Sequence, residues 1–146
     1  MLMPRGERLG AVDAMQEAWT GEPVANLAPS ILAFAAKGPV GELAPGQQIP
    51  FELRWKCDRS ASVSVDIRTE SLATQSGGDS EPEPEILPSI QWEETSDGLD
   101  VKAPMHPGNY RIFIYVTTDD QSAATANIPI RVRPIRESAA LRTRKN

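Results

Sequence analysis

The chain has 146 residues, of which 40% are apolar, and a formal net charge of −5. That length allows one domain with tails, since domains usually run to about 100–200 residues, and a domain of this size can fold without covalent staples. The acidic balance argues against nucleic acid as a partner, because phosphate neutralisation needs a clustered basic face.

The basic residues that do cluster, Arg136, Arg142, Arg144 and Lys145, lie at the chain's end. They read as a disordered tail over 135–146. No apolar run approaches the roughly 18 residues of a membrane span. The first ten residues are charged and lack the apolar centre of a signal peptide, so no standard secretion leader is expected in the sequence as it stands. Cys57 is the only cysteine, which excludes an intrachain disulfide. It falls in phase with the apolar positions of a strand and reads as a small buried hydrophobe. The 10 glycines and 13 prolines are spread along the chain, which favours many short strands over long helices.

In chain order, residues 11–19 contain good helix formers with Val12, Met15 and Trp19 on one helical face. Gly21 and Pro23 should stop that helix. Its apolar face is narrow, so it needs a surface to pack on. Residues 20–29 read as an extended linker.

The strongest strand is 48–57. Ile49, Phe51, Leu53, Trp55 and Cys57 alternate with Gln48, Pro50, Glu52, Arg54 and Lys56, giving one core face and one wet face. Pro50 should lie near the strand start or on an edge. Ile31, Leu32 and Phe34 mark an earlier strand, and Val63, Val65 and Ile67 a later inward-facing one. Leu99, Val101 and Ala103 follow an Asp97-Gly98 turn. Tyr110, Ile112, Ile114 and Val116 form one face of a long strand. Phe113 and Tyr115 sit on its other face, which predicts a covered or central position. Ala124, Ala126, Ile128, Ile130 and Val132 make the last strand, with Pro129 pointing to an edge. Six or seven short strands at this spacing predict an antiparallel sandwich or barrel. Between them, residues 72–89 form a long acidic loop without periodicity, either functional or disordered.

The segment 103–132 carries a resemblance. Pro107-Gly108-x-Tyr110, an alternating strand, an acidic turn and a second alternating strand resemble the end of PKD-like and other Ig-like repeats. Pro-Gly would make the turn, and the tyrosine would bury its ring while its hydroxyl bonds to backbone. The strand around Tyr110, Phe113 and Tyr115 and the run from Ala123 to Pro129 are similar to the Ig-like module at the C-terminal end of bacterial glycoside hydrolase family 2 proteins with a TIM barrel. Glu70, Ser71, Gly77, Gly78 and Asp79 also look like that module. The match covers about two thirds of the chain and is weak before residue 60. That family often has an aromatic where this chain has only Val63 to Arg68, and the catalytic barrel, which holds the family's carboxylates, is absent here. The resemblance implies an all-β, Ig-like antiparallel sandwich of about seven strands with a short N-terminal helix. It also implies an accessory rather than catalytic role, a glycoside hydrolase catalytic domain or a carbohydrate polymer as partner, and a periplasmic or extracellular setting.

Motifs for chemistry are sparse. His106 lies at a turn with no nucleophile or carboxylate spaced to use it. Glu81, Glu83 and Glu85, alternating with prolines, would suit a hard cation such as Ca²⁺ only if they converged, which an extended proline-spaced run does not favour. Asp119 and Asp120 are explained by turn chemistry. Glu93 and Glu94 are adjacent and would point to opposite faces of a strand, unlike a glycosidase pair. No phosphate loop, Cys/His cluster or nucleophile elbow occurs. Trp55 reads as core, Trp92 as core more than sugar platform, and Trp19 as a contact for another domain.

The sequence therefore leads to an N-terminal helix and linker over 1–29, an Ig-like sandwich over 30–134 and a disordered basic tail over 135–146. The chain is expected to be non-catalytic, with no cofactor or metal, and to act as an accessory module of carbohydrate-active proteins. Val12, Met15 and Trp19 are the candidate docking face. The alternative is a protein-interaction or adhesion module, possibly cation-dependent and unrelated to carbohydrate.

Overall fold

The alternating segments become strands in the computed structural model, which describes residues 6–71 and 84–135. Among the described residues, eight strands and one helix follow one another as β1 (Arg8–Leu9), α1 (Gly10–Thr20), β2 (Ser30–Ala36), β3 (Gln48–Lys56), β4 (Ala61–Thr69), β5 (Trp92–Thr95), β6 (Gly98–Lys102), β7 (Gly108–Thr118) and β8 (Ser122–Val132). They form two four-stranded sheets, ordered β1-β8-β7-β4 and β2-β3-β6-β5. All neighbours are antiparallel except β1, which runs parallel to β8. The molecule is thus an all-β sandwich with a short N-terminal helix. The basic tail 136–146, together with Gly77, Gly78, Asp79, Glu81 and Glu83, lies outside the described residues.

The core follows from the period of two. From one sheet, Ile49, Phe51, Leu99 and Val101 point inward; from the other, Val65, Ile67, Tyr110, Ile112, Ile114, Ile130 and Val132 do. Two sheets with one apolar face each must bury those faces together. Each large side chain taken fully from water stabilises the fold by about 1.5–3 kcal/mol. Phe34 stacks on Phe51 with ring centroids 5.2 Å apart. The long strand β7 is central, flanked by β4 and β8. Its outward Phe113 and Tyr115 lie nearly parallel, 6.4 Å apart, with the Arg68 guanidinium 5.6 Å over Phe113.

Both strand prolines sit where no ladder donor is needed. Pro50 lies in β3, inside its sheet between β2 and β6, near the strand start but not on an edge. Its carbonyl accepts from Lys37 N at 2.8 Å, one residue beyond the end of β2. The missing N–H therefore faces the point where the β2 ladder runs out. Pro129 faces the outer side of β8, which β1 covers only at Ser122 and Ala123. Further along that side, residues 40–43 add to β8. Leu43 N donates to Arg131 O, and Arg131 N donates to Val40 O.

Two glycines work differently from the sequence expectation. Pro107-Gly108 does not form the turn: the chain bends at Met105 and His106, and Gly108 already belongs to β7. Gly108 instead makes room for the Tyr110 ring, which a Cβ there would meet at 3.2 Å. Gly98 opens β6, and a Cβ on it would fall 1.9 Å from the Phe51 carbonyl oxygen.

The tyrosine expectation itself is met. Tyr110 is 6% exposed and its hydroxyl donates to His106 O at 2.9 Å. Tyr110→Phe removes one hydrogen bond at a turn whose carbonyl can turn to water. It is expected to lower stability by about 1 kcal/mol, measured by urea unfolding with an unchanged m-value.

Candidate docking face

Helix α1 forms where sequence places it, extended by one residue at each end. Gly21 ends it in a left-handed conformation at φ 71°, its N–H donating to Glu17 O, which is the usual glycine termination. Asp13, in the first turn, complements the positive N-terminal end of the helix and is the one buried residue of α1.

Asp13 fixes the helix to the sandwich through its polar side. One carboxylate oxygen pairs with the Arg8 guanidinium, and the other accepts from Ala28 N at 2.6 Å. Arg8 also donates to Asn26 O at 2.8 Å and to Ser122 Oγ at 3.2 Å. Its own backbone N–H donates to Gln121 O at 2.7 Å, which joins β1 to the start of β8. A single arginine thus holds together helix, β8 and the returning segment 20–29. The sequence suggests an open linker there. The chain instead folds back along α1, with Ala28 and Pro29 buried.

This attachment leaves the apolar stripe unused. Successive helical residues turn by about 100°, so Val12, Met15 and Trp19 lie a quarter-turn or more from Asp13. With Gln16 and Thr20 they line a shallow groove of about 300 Å³. Met15 is 44% exposed and Trp19 78% exposed. The three residues singled out from sequence therefore share one open face. The signal missed was Asp13 with Arg8: a carboxylate in a first helical turn reads as dipole complement, and nothing local to it names a partner.

The other candidates are dispersed. His106 is exposed in its turn and uses its backbone carbonyl rather than its ring. Glu93 and Glu94 are neighbours on β5, both exposed. Trp55 and Trp92 are half-buried, and Trp92 packs against the core. Cys57 lies just past β3 and is half-buried. At the β7–β8 turn, Asp120 accepts from Thr118 Oγ1 at 2.5 Å, from Ser122 Oγ at 3.1 Å and from Arg59 at 3.1 Å. The Thr118 hydroxyl first, then Ser122 and Arg59, hold its carboxyl below the usual value. This is turn chemistry of the expected kind. Among the described residues, no group of three His, Cys, Asp or Glu side chains is gathered as for a metal ion, and no helix is long and apolar enough to cross a membrane.

No protein-family model matches the chain, and no curated protein is significantly similar to it.

Proposed function

We propose that the chain is a non-catalytic accessory module of carbohydrate-active proteins, docking through Val12, Met15 and Trp19 onto a glycoside hydrolase catalytic domain. The observation that carries docking is the exposure of Trp19, 78%, on a helix whose polar side is clamped to a sandwich. A tryptophan held open on a fixed element loses little further freedom on binding, and such aromatics dominate interface energies.

The Ig-like reading is supported by strand order. Lettering β2 to β8 as A to G gives sheets A-B-E-D and G-F-C, the arrangement of constant-type Ig domains. Tyr110 near the start of the sixth lettered strand, bonded to a carbonyl four residues upstream, has the geometry of a tyrosine corner. The carbohydrate association rests on the resemblance of 103–132 to the accessory module of family 2 glycoside hydrolases.

The test is calorimetric titration of the chain with a family 2 glycoside hydrolase barrel. Trp19→Ala is expected to weaken binding at least tenfold, within the range for an interfacial tryptophan. Its melting temperature should be unchanged, because the side chain is exposed in the free chain. Absence of binding by the unaltered chain, or equal affinity of the variant, contradicts the proposal.

A further inference from the structure

Unpaired sheet edges invite another chain, and folded proteins blunt them with bulges, charges or covering segments. Three of the edges here are guarded in these ways. β2 is broken by a register shift between Ile31 and Ala33. β5 is short, and Glu93 and Glu94 stand exposed along it. The outer side of β8 is covered by β1 and by residues 40–43.

The fourth edge, β4, has none of these devices over its first half. It pairs with β7 from Ala61 to Thr69 without a register shift, and the run Ala61 to Val65 contains no proline and no charge. Alternation fixes where its backbone points. Just past the strand, Glu70 N donates to Asn109 O at 3.0 Å, on the β7 side. On the outer side, Thr69 N donates to Glu85 O at 3.2 Å and Leu87 N donates to Ile67 O at 2.8 Å. Even residues therefore present N–H and C=O towards β7, and odd residues present theirs outward. The segment 85–87 occupies the outer side only from Ile67 onward. Among the described residues, no backbone hydrogen bond reaches the outward groups of Ala61, Val63 and Val65.

We propose that this edge is the interface for a second copy of the chain, β4 pairing antiparallel with β4 about a two-fold axis at Val63. The outward residues 61, 63 and 65 are symmetric about 63, so the edge is its own complement. Val63 meets the partner's Val63, and Ala61 meets the partner's Val65, through on the order of six backbone hydrogen bonds. Ser62 then lies opposite the partner's Ser64 on the outer face, where hydroxyl pairs stabilise strands. No like charges are set against each other, whereas the same pairing at β5 would bring four glutamates together. Sliding the partner towards Ile67 sets it against Leu87, which already bonds the Ile67 carbonyl. Val63 packs on the core yet is only half-buried, and the partner's Val63 supplies the missing cover. Five residues a side is well below the roughly 20–30 of a standard interface, so association is weak and is read at about 1 mM chain.

Sedimentation equilibrium of the whole chain should show dimer at that concentration and monomer on hundredfold dilution. Val63→Pro removes an outward N–H that the β4–β7 ladder does not use. It should keep the circular dichroism spectrum of the unaltered chain and stay monomeric. Trp19→Ala should dimerise normally, which separates this interface from the helix face. Register is read independently, by disulfide capture on a Cys57→Ser background. Mixed Ser62→Cys and Ser64→Cys chains should cross-link at least tenfold faster than either alone, because residues 62 and 64 face each other while like positions are too far apart for the bond. A monomer at about 1 mM, undiminished dimerisation of a folded Val63→Pro chain, loss of dimerisation in Trp19→Ala, or no preference for the mixed pair overturns the proposal.

Discussion

Gly98→Ala is expected to destabilise the chain by about 3 kcal/mol, the upper end of ordinary overpacking costs, with a fall in melting temperature of about 10 °C. A Cβ at 98 would lie 1.9 Å from Phe51 O, 2.9 Å from Phe51 C and 3.0 Å from Leu53 N. All three are backbone atoms, so no flexible side chain can yield. Phe51 has no exposed surface and stacks on Phe34, so β3 can give way only by disturbing the core. The β5–β6 hairpin would have to lift, uncovering Leu99 and Val101, both fully buried. Gly38 and Gly41 supply the control. A Cβ at either meets nothing within 4 Å, and alanine there should change stability by no more than about 0.5 kcal/mol. Thermal unfolding of the three variants distinguishes backbone collision from a general cost of replacing glycine.

Asp13→Ala is expected to release α1 while the sandwich persists. The substitution leaves Ala28 N–H buried without its acceptor and takes the anion away from Arg8, whose side chain is 25% exposed. A hydrogen bond to a charged group contributes about 1.5–3 kcal/mol. Partial exposure of Arg8 places the expected loss near 2 kcal/mol. Few other contacts tie the helix down, so the loss should appear locally. The Ala28 amide should exchange roughly thirtyfold faster, the equivalent of that free energy, with the core amides of β7 unchanged. Asp13→Asn keeps an acceptor for Ala28 N–H and should fall between the two. Equal acceleration across β7 and Ala28 would show that the helix and sandwich unfold as one unit.

Much of the sandwich was legible because it rests on a two-residue period. Ile49, Phe51, Val65, Ile67, Ile112 and Ile114 fall inward as their alternation requires. Where the reading stopped short, the determining contact was distant in sequence. Leu53, Trp55 and Cys57 continue the same alternation but are only half-buried, because their cover depends on where β6 ends, which β3 does not encode. Gly98 and Gly108 were read as turn formers from their neighbours Asp97 and Pro107, yet each faces an approaching group: the Phe51 carbonyl leaves no room for a Cβ at 98, and the Tyr110 ring would crowd one at 108. β1 has two residues and no periodicity to detect, and Arg8 finds Ser122 across 114 positions. The helix face was legible for the opposite reason. Val12, Met15 and Trp19 share a face through helical geometry alone, whatever the rest of the chain does.

The proposed docking is placed on that face, and one tryptophan reports on it directly. In a chain carrying Trp55→Phe and Trp92→Phe, all tryptophan fluorescence comes from Trp19. Emission should be that of a water-exposed indole, freely quenched by iodide, in the chain alone. On titration with a family 2 glycoside hydrolase barrel it should shift to the blue and become protected from iodide, with saturation at one barrel per chain. Protection already present in the free chain, or emission unchanged at a saturating excess of barrel, would contradict the account.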